Sequence, residues 1–150
     1  MVSLAGKLTR SIHVLLVEDN LGDVTLIMEA FKGSKRPIQL DRAKDGEEAL
    51  HYLRGTGRYA EARRPDLILL DLNMPKKTGL EVLNEIKNDP KLQEIPVVIL
   101  TNSKLESDVR RSYESRANFY MVKPTDLDEL FAAMRYVEDI WLRSVDAEPD

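Results

Sequence analysis

The chain has 150 residues, 43% hydrophobic and 32% charged, with a net charge of −4, the make-up of one ordinary globular domain long enough to bury a core. The acidic balance argues against a nucleic-acid binder, and the apolar runs LILL and VVIL are too short to span a bilayer. The opening MVSLAGKLTRS lacks the apolar stretch of a signal peptide, and the chain has no cysteine; disulfides, thiolate metal sites and cysteine nucleophiles are excluded, and a cytoplasmic setting is expected.

The elements alternate along the chain. IHVLLV (12–17) reads as a buried strand. From Gly22 to about Lys32, Val24, Ile27, Met28 and Phe31 recur at helical spacing. Residues 38–43 read as a short strand, and 45–53 as a helix capped by Asp45 with glutamates in its first turn. The polar stretch RGTGRYAEARRP (54–65) reads as a long surface loop. LILLD (67–71) is a strand and 79–88 a helix; PVVILT (96–101) is a strand and 105–115 a helix; FYMV (119–122) is a strand and 126 to about 144 the last helix. Five apolar strands alternating with helices predict an α/β fold, a parallel sheet with helices on both faces. Residues 1–10 are expected to form an N-terminal extension, 11–145 the domain and 146–150 a C-terminal tail.

Ligands of such folds sit at the C-terminal edge of the strands. There the first strand runs into Glu18-Asp19-Asn20, the third into Asp71 and the fourth into Thr101, and the fifth is followed by Lys123-Pro124. Taken singly, each has an ordinary explanation: a turn, a solvated strand end, a helix cap, a surface lysine. Together they place three acids, a hydroxyl and a lysine around one crevice. Clustered carboxylates repel, and a hard divalent cation relieves that repulsion; Mg2+ is satisfied by two carboxylates, a backbone carbonyl and water. A cation so held would set a phosphoryl group against a carboxylate nucleophile, with the lysine and hydroxyl pairing its oxygens.

The order and spacing resemble the receiver domain of two-component response regulators. Thr101 follows Asp71 by 30 residues and Lys123 follows Thr101 by 22. The motifs that carry the likeness are LLVEDN, LLDLNMPKKTG, VILTNS and FYMVKP, and it covers about residues 11–143. The resemblance implies a flavodoxin-like sheet of order 2-1-3-4-5. It implies Asp71 as phosphoacceptor, Mg2+ held by Glu18, Asp19, Asp71 and the backbone carbonyl of Asn73, and Thr101 and Lys123 on the phosphoryl group. Tyr120 would be the switch aromatic, turning inward as Thr101 moves. Two positions depart from the family's common pattern: Asn102 stands where a small residue is frequent, and Glu18 where aspartate is.

The few residues after Ser144 leave no room for a DNA-binding module, so a stand-alone receiver is expected, one that acts by protein contact and catalyses only its own phosphorylation and dephosphorylation. VEDNLGDVTLIMEAF, the long 54–79 segment and LDELFAAMRYVEDIWL resemble the small receivers paired with phytochrome histidine kinases. A kinase would dock near the first helix and the strand-end loops. On the last helix, Leu127, Leu130, Phe131, Met134, Val137 and Trp141 make one apolar stripe for the sheet. Ala133, Tyr136 and Ile140 make a second stripe, expected to serve a homodimer interface.

Three rivals share features. A haloacid dehalogenase-type phosphatase wants a second acid two residues after its nucleophile, where Asn73 stands. An FMN-binding flavodoxin wants a Ser/Thr/Gly-rich loop after the first strand, where Glu-Asp-Asn stands. A receiver-like interaction module that is never phosphorylated has no need of the complete residue set. Lys76 and Lys77 read either as a solvated turn or as an attraction for a phosphorylated kinase surface.

Overall fold

A computed structural model describes residues 11–143 and 145. Five strands, β1 (Ile12–Val17), β2 (Ile38–Ala43), β3 (Leu67–Leu70), β4 (Val97–Thr101) and β5 (Phe119–Val122), form one all-parallel sheet of order β2-β1-β3-β4-β5. This is the flavodoxin-like order that the resemblance implies. Alternate strand residues serve opposite faces. Leu15, Val17, Ile68, Leu70, Val97 and Ile99 join one core cluster, while Val14, Leu16, Leu67, Leu69, Val98 and Leu100 join the other. Both faces are covered, which is why the strands are continuous apolar runs and not alternating ones.

Helices α1 (Leu21–Lys32) and α5 (Leu127–Val137) cover one face through Val24, Ile27, Phe31, Leu130 and Met134. On the other, α2 (Gly46–Arg54) and α3 (Gly79–Lys87) bury Ala49, Leu50, Val82, Leu83 and Ile86. Their starts are written locally: Asn20, Asp45 and Asp126 cap α1, α2 and α5, and Thr78 with Glu81 makes a capping box on α3. The remaining helix, α4 (Glu106–Glu114), buries only Ser112 and has no side-chain cap. The 54–65 loop contains a 3-10 turn at Gly57–Tyr59, tied back to α2 where the Tyr59 hydroxyl donates to Glu48 at 2.5 Å.

Two expectations about helix faces need correction. Met28 is 44% exposed, so α1 packs through Val24, Ile27, Ala30 and Phe31 alone. Leu127, the first residue of α5, is 49% exposed, so the buried stripe of that helix begins at Leu130. The last helix also changes pitch, Glu138–Leu142 winding as a wider π-type turn. Five-residue spacing then puts Leu142 beneath Val137 in the buried column, and Trp141 is left half-buried beside Phe119 and Tyr136. Ala133 packs partly against the core, whereas Tyr136 and Ile140 are exposed. The expected extension segments 1–10 and 146–150, and Ser144, lie outside the described residues.

Candidate functional site

The site is a product of strand register. Val17 is paired with Leu70, so β1 and β3 end level, and the next residues are Glu18 and Asp71. Thr101 is paired with Val122, and the Lys123 amide donates to the Thr101 carbonyl at 2.7 Å. Asp19, Glu18 and Asp71 thereby bring one carboxylate oxygen each within 4.8 Å of one another.

Backbone contacts hold these ends still. The Asp71 amide donates to Val17 and the Glu18 amide to Ala43. Arg42, at the end of β2, donates to the carbonyls of Glu18 and Asp19 at 3.0 and 3.1 Å. Gly79 closes the loop after β3, its amide donating to the Leu72 carbonyl. A Cβ at Gly79 would lie 2.3 Å from the Asp71 carbonyl oxygen, so only glycine admits this approach. Lys76 takes a left-handed backbone, φ 65°.

Glu18 is 1% exposed, Asp71 6% and Thr101 0%, while Asp19 is open to solvent. The Lys123 ammonium donates to Asp23 and Glu18 at 2.7 Å each and lies 3.5 Å from Asp71. Burial pushes the Glu18 carboxyl up to about 7, with Asp71 adding to the effect and Lys123 opposing it. Burial alone would lower the Lys123 ammonium, but the hydrogen bonds from Asp23 and Glu18 and the charge of Asp71 outweigh it and hold it above the usual lysine value. Burial dominates for Glu18 despite its lysine partner, because that lysine is shared among three acids.

The Asn73 amide donates to Asp71 Oδ1 at 3.3 Å, which lays the backbone of that residue against the acidic cluster. Thr101 Oγ1 accepts from the Ser103 amide at 3.4 Å. Tyr120 is buried, its hydroxyl donating to the Ser103 carbonyl at 2.8 Å, and burial raises its pKa. Ser103 in turn donates to Asp108 of α4. Glu18, Asp19, Asp71, Thr101 and Lys123 therefore converge, with Asn73 beside them and Tyr120 one loop away. Asn102 is exposed at the crevice rim. The oxygen-only donor set of Glu18, Asp19 and Asp71 suits a hard divalent cation.

Residues 14–135 match the response regulator receiver domain. The chain belongs to that family. Response regulator Rcp1 of Synechocystis sp. is 46% identical over 132 residues, which are 88% of this chain and 90% of Rcp1. The phosphorylated cyanobacterial phytochrome response regulator RcpA is 48% identical in structural alignment, with a TM-score of 0.85 over 89% of this chain and 96% of that one. The Mn2+-bound form of Rcp1 aligns over the same shares at 45% identity and a TM-score of 0.83. The bacteriophytochrome response regulator AtBRR is 40% identical, TM-score 0.70, over 88% of this chain and 96% of its own.

Two side chains of this receiver site escaped the sequence. Asp23 sits in the first turn of α1, where an acid reads as a complement to the helix dipole. Arg42 sits at a strand end and gives no sequence signal at all. The two lysines of the turn after β3 are engaged by acids of neighbouring helices, Lys77 with Glu85, and Lys76 with Asp45 and Glu47 at 3.6 and 3.8 Å. Such exposed pairs add little stability.

Proposed function

We propose that the protein is a phosphoacceptor of a two-component pathway, taking a phosphoryl group from a histidine kinase onto Asp71 in a Mg2+-dependent reaction and signalling by contact with other proteins. The observation that carries this is the Asp71 carboxylate at a strand end, clustered with Glu18 and Asp19, with the Lys123 ammonium 3.5 Å away and Thr101 at the end of the neighbouring strand. In the transfer, an Asp71 oxygen forms the new P–O bond as the bond from phosphorus to the kinase histidine nitrogen breaks, and the electron pair leaves with that nitrogen. A cation bound by Glu18, Asp19, Asp71 and the Asn73 carbonyl would neutralise charge on the phosphoryl oxygens. Lys123 pairs with one of those oxygens, and Thr101 swings its hydroxyl to another.

The added charge is near −2 at neutral pH. Its reach to a partner runs through Thr101, Ser103 and Tyr120 to α4, the helix with the least buried anchorage. A shift in a pre-existing equilibrium at the β4-α4-β5-α5 face follows. A phytochrome kinase as the cognate sensor is supported by the likeness to RcpA and AtBRR, and docking at α1 by its exposed Leu21, Leu26 and Met28. Homodimerisation through α5 is supported by exposed Tyr136 and Ile140 beside Ala133 and the Phe119–Tyr136–Trp141 ring cluster. Turnover is expected only on the protein itself, with slow loss of phosphate from Asp71.

The test is incubation with Mg2+ and a small phosphodonor, followed by intact mass. One phosphoryl adduct is expected, absent in Asp71→Asn and absent with EDTA; equal labelling of Asp71→Asn overturns the assignment. Light scattering at micromolar concentration checks the dimer, which is abandoned if only monomer is seen with and without phosphorylation.

A further inference from the structure

We propose that Asp23 is a positioning residue that holds Lys123 away from Asp71 and so restrains phosphoryl uptake; this rests on the reading of Asp71 as phosphoacceptor. The lysine ammonium is 2.7 Å from Asp23 and 3.5 Å from Asp71, so it leans towards α1 and not towards the acceptor. An ammonium has three donors, and three carboxylates take them. Two of those, Glu18 and Asp71, belong to the acidic cluster with Asp19, and a cation there competes with Lys123 for both. Asp23 lies outside that cluster, so it is the partner a cation leaves in place.

Asp23 is also firmly held. Its amide donates to the Asn20 side chain at 2.8 Å, and its helix is anchored by Val24 and Ile27, buried against the sheet. Its side chain is 31% exposed and that of Lys123 is 8%, so the pair is only partly screened by water. For Lys123 to serve a phosphoryl oxygen, it must loosen this contact or share it. The carboxylate of Asp23 also adds one negative charge to a crevice in which Lys123 already faces the cluster of Glu18, Asp19 and Asp71.

Removing that charge has opposite consequences for the two ions the site is built to receive. A crevice one unit more positive binds a dication less well and accepts an anionic phosphodonor faster. Damage to the fold would lower both. The experiment uses the full chain as wild type, Asp23→Asn, Asp23→Ser and Asp23→Glu, with circular dichroism and a thermal melt to establish folding. Mn2+ binding is measured by electron paramagnetic resonance on the metal alone, and labelling by acetyl phosphate at saturating Mg2+ by intact mass. Asp23→Asn and Asp23→Ser are expected to weaken Mn2+ by about threefold or more and to speed labelling by about threefold or more, with Asp23→Glu close to wild type in both. Slower labelling, or unchanged Mn2+ affinity, overturns the proposal. If the wild type takes no label on Asp71, the phosphoacceptor reading has failed, and the Mn2+ arm alone decides whether Asp23 sets the charge of the crevice.

Discussion

Glu18→Gln is the perturbation whose sign is least intuitive. Glu18 is 1% exposed, and burial raises its carboxyl from 4.5 to about 7. Between those values the folded protein keeps a proton that the unfolded chain has released. The stability this confers is fully present below about pH 4.5 and is lost as pH rises through about 7, a loss of roughly 3 kcal/mol at about 1.4 kcal/mol per unit. Glutamine keeps the shape and removes the titration. Without metal, the variant is expected to match wild type near pH 5 and to exceed it by up to roughly 3 kcal/mol at pH 8. Urea unfolding at a series of pH values in EDTA, followed by circular dichroism, measures this. A divalent cation must displace the same proton, so Mg2+ is expected to raise the melting temperature of wild type more at pH 8 than at pH 6, and to do little for the variant. If the two proteins run parallel from pH 5 to pH 8, burial is not what governs Glu18 and the reasoning fails.

Three further substitutions test the framework. Gly79→Ala drives a methyl onto the Asp71 carbonyl and Leu72 Cα, both backbone; it is expected to cost about 2–3 kcal/mol in urea unfolding and to slow labelling of Asp71. Leu142→Ala is expected to cost about 2–4 kcal/mol and Ile140→Ala less than about 1 kcal/mol, since the π-type turn buries the first and exposes the second; a regular α-helical phase would narrow that difference, and urea midpoints decide. Lys87→Met removes the ammonium that donates to the carbonyls of Gln93 and Ile95 and to the Asn118 side chain at 2.9–3.2 Å; a loss of about 1–3 kcal/mol is expected by the same assay, because the Ile95 acceptor stays buried without its donor.

What the sequence made legible was whatever has a local cause. Continuous apolar strands report a sheet covered on both faces, and the cap at Asp45 reports a helix start, because each depends on neighbours in the chain. The ends of β1, β3 and β4 were readable as a crevice because parallel strands in register finish at one edge. Asp23 was not readable, since its partner Lys123 is 100 residues away and its place in a helix first turn already explains an acid. The burial of Leu142 was hidden by assuming 3.6 residues per turn through a segment that winds wider. The chain from buried His13 through the Tyr52 hydroxyl to Asp41 was hidden too, because it joins two strands and a helix that only the fold brings together.

The crevice has a stiff wall and a soft one, and that asymmetry bears on how a charge at Asp71 would be felt elsewhere. Glu18 and Asp71 follow strands whose residues are wholly buried, and Arg42 and Gly79 fix the backbone around them. On the other side, Thr101 leads into a loop whose ties are the Ser103 contacts with Thr101, Tyr120 and Asp108. Beyond it, α4 buries only Ser112 and leaves Leu105 63% exposed. A phosphoryl group on Asp71, as proposed, would attract the Thr101 hydroxyl and the Lys123 ammonium, and the wall that yields would be the one with less buried surface to lose. Because the Tyr120 hydroxyl holds the Ser103 carbonyl, a shift of that loop removes or remakes its hydrogen bond, and the ring's position is bound to the loop's. On the proposed phosphorylation of Asp71, the stiff wall would preserve the geometry for transfer while the soft wall would carry the change to the α4–β5–α5 surface.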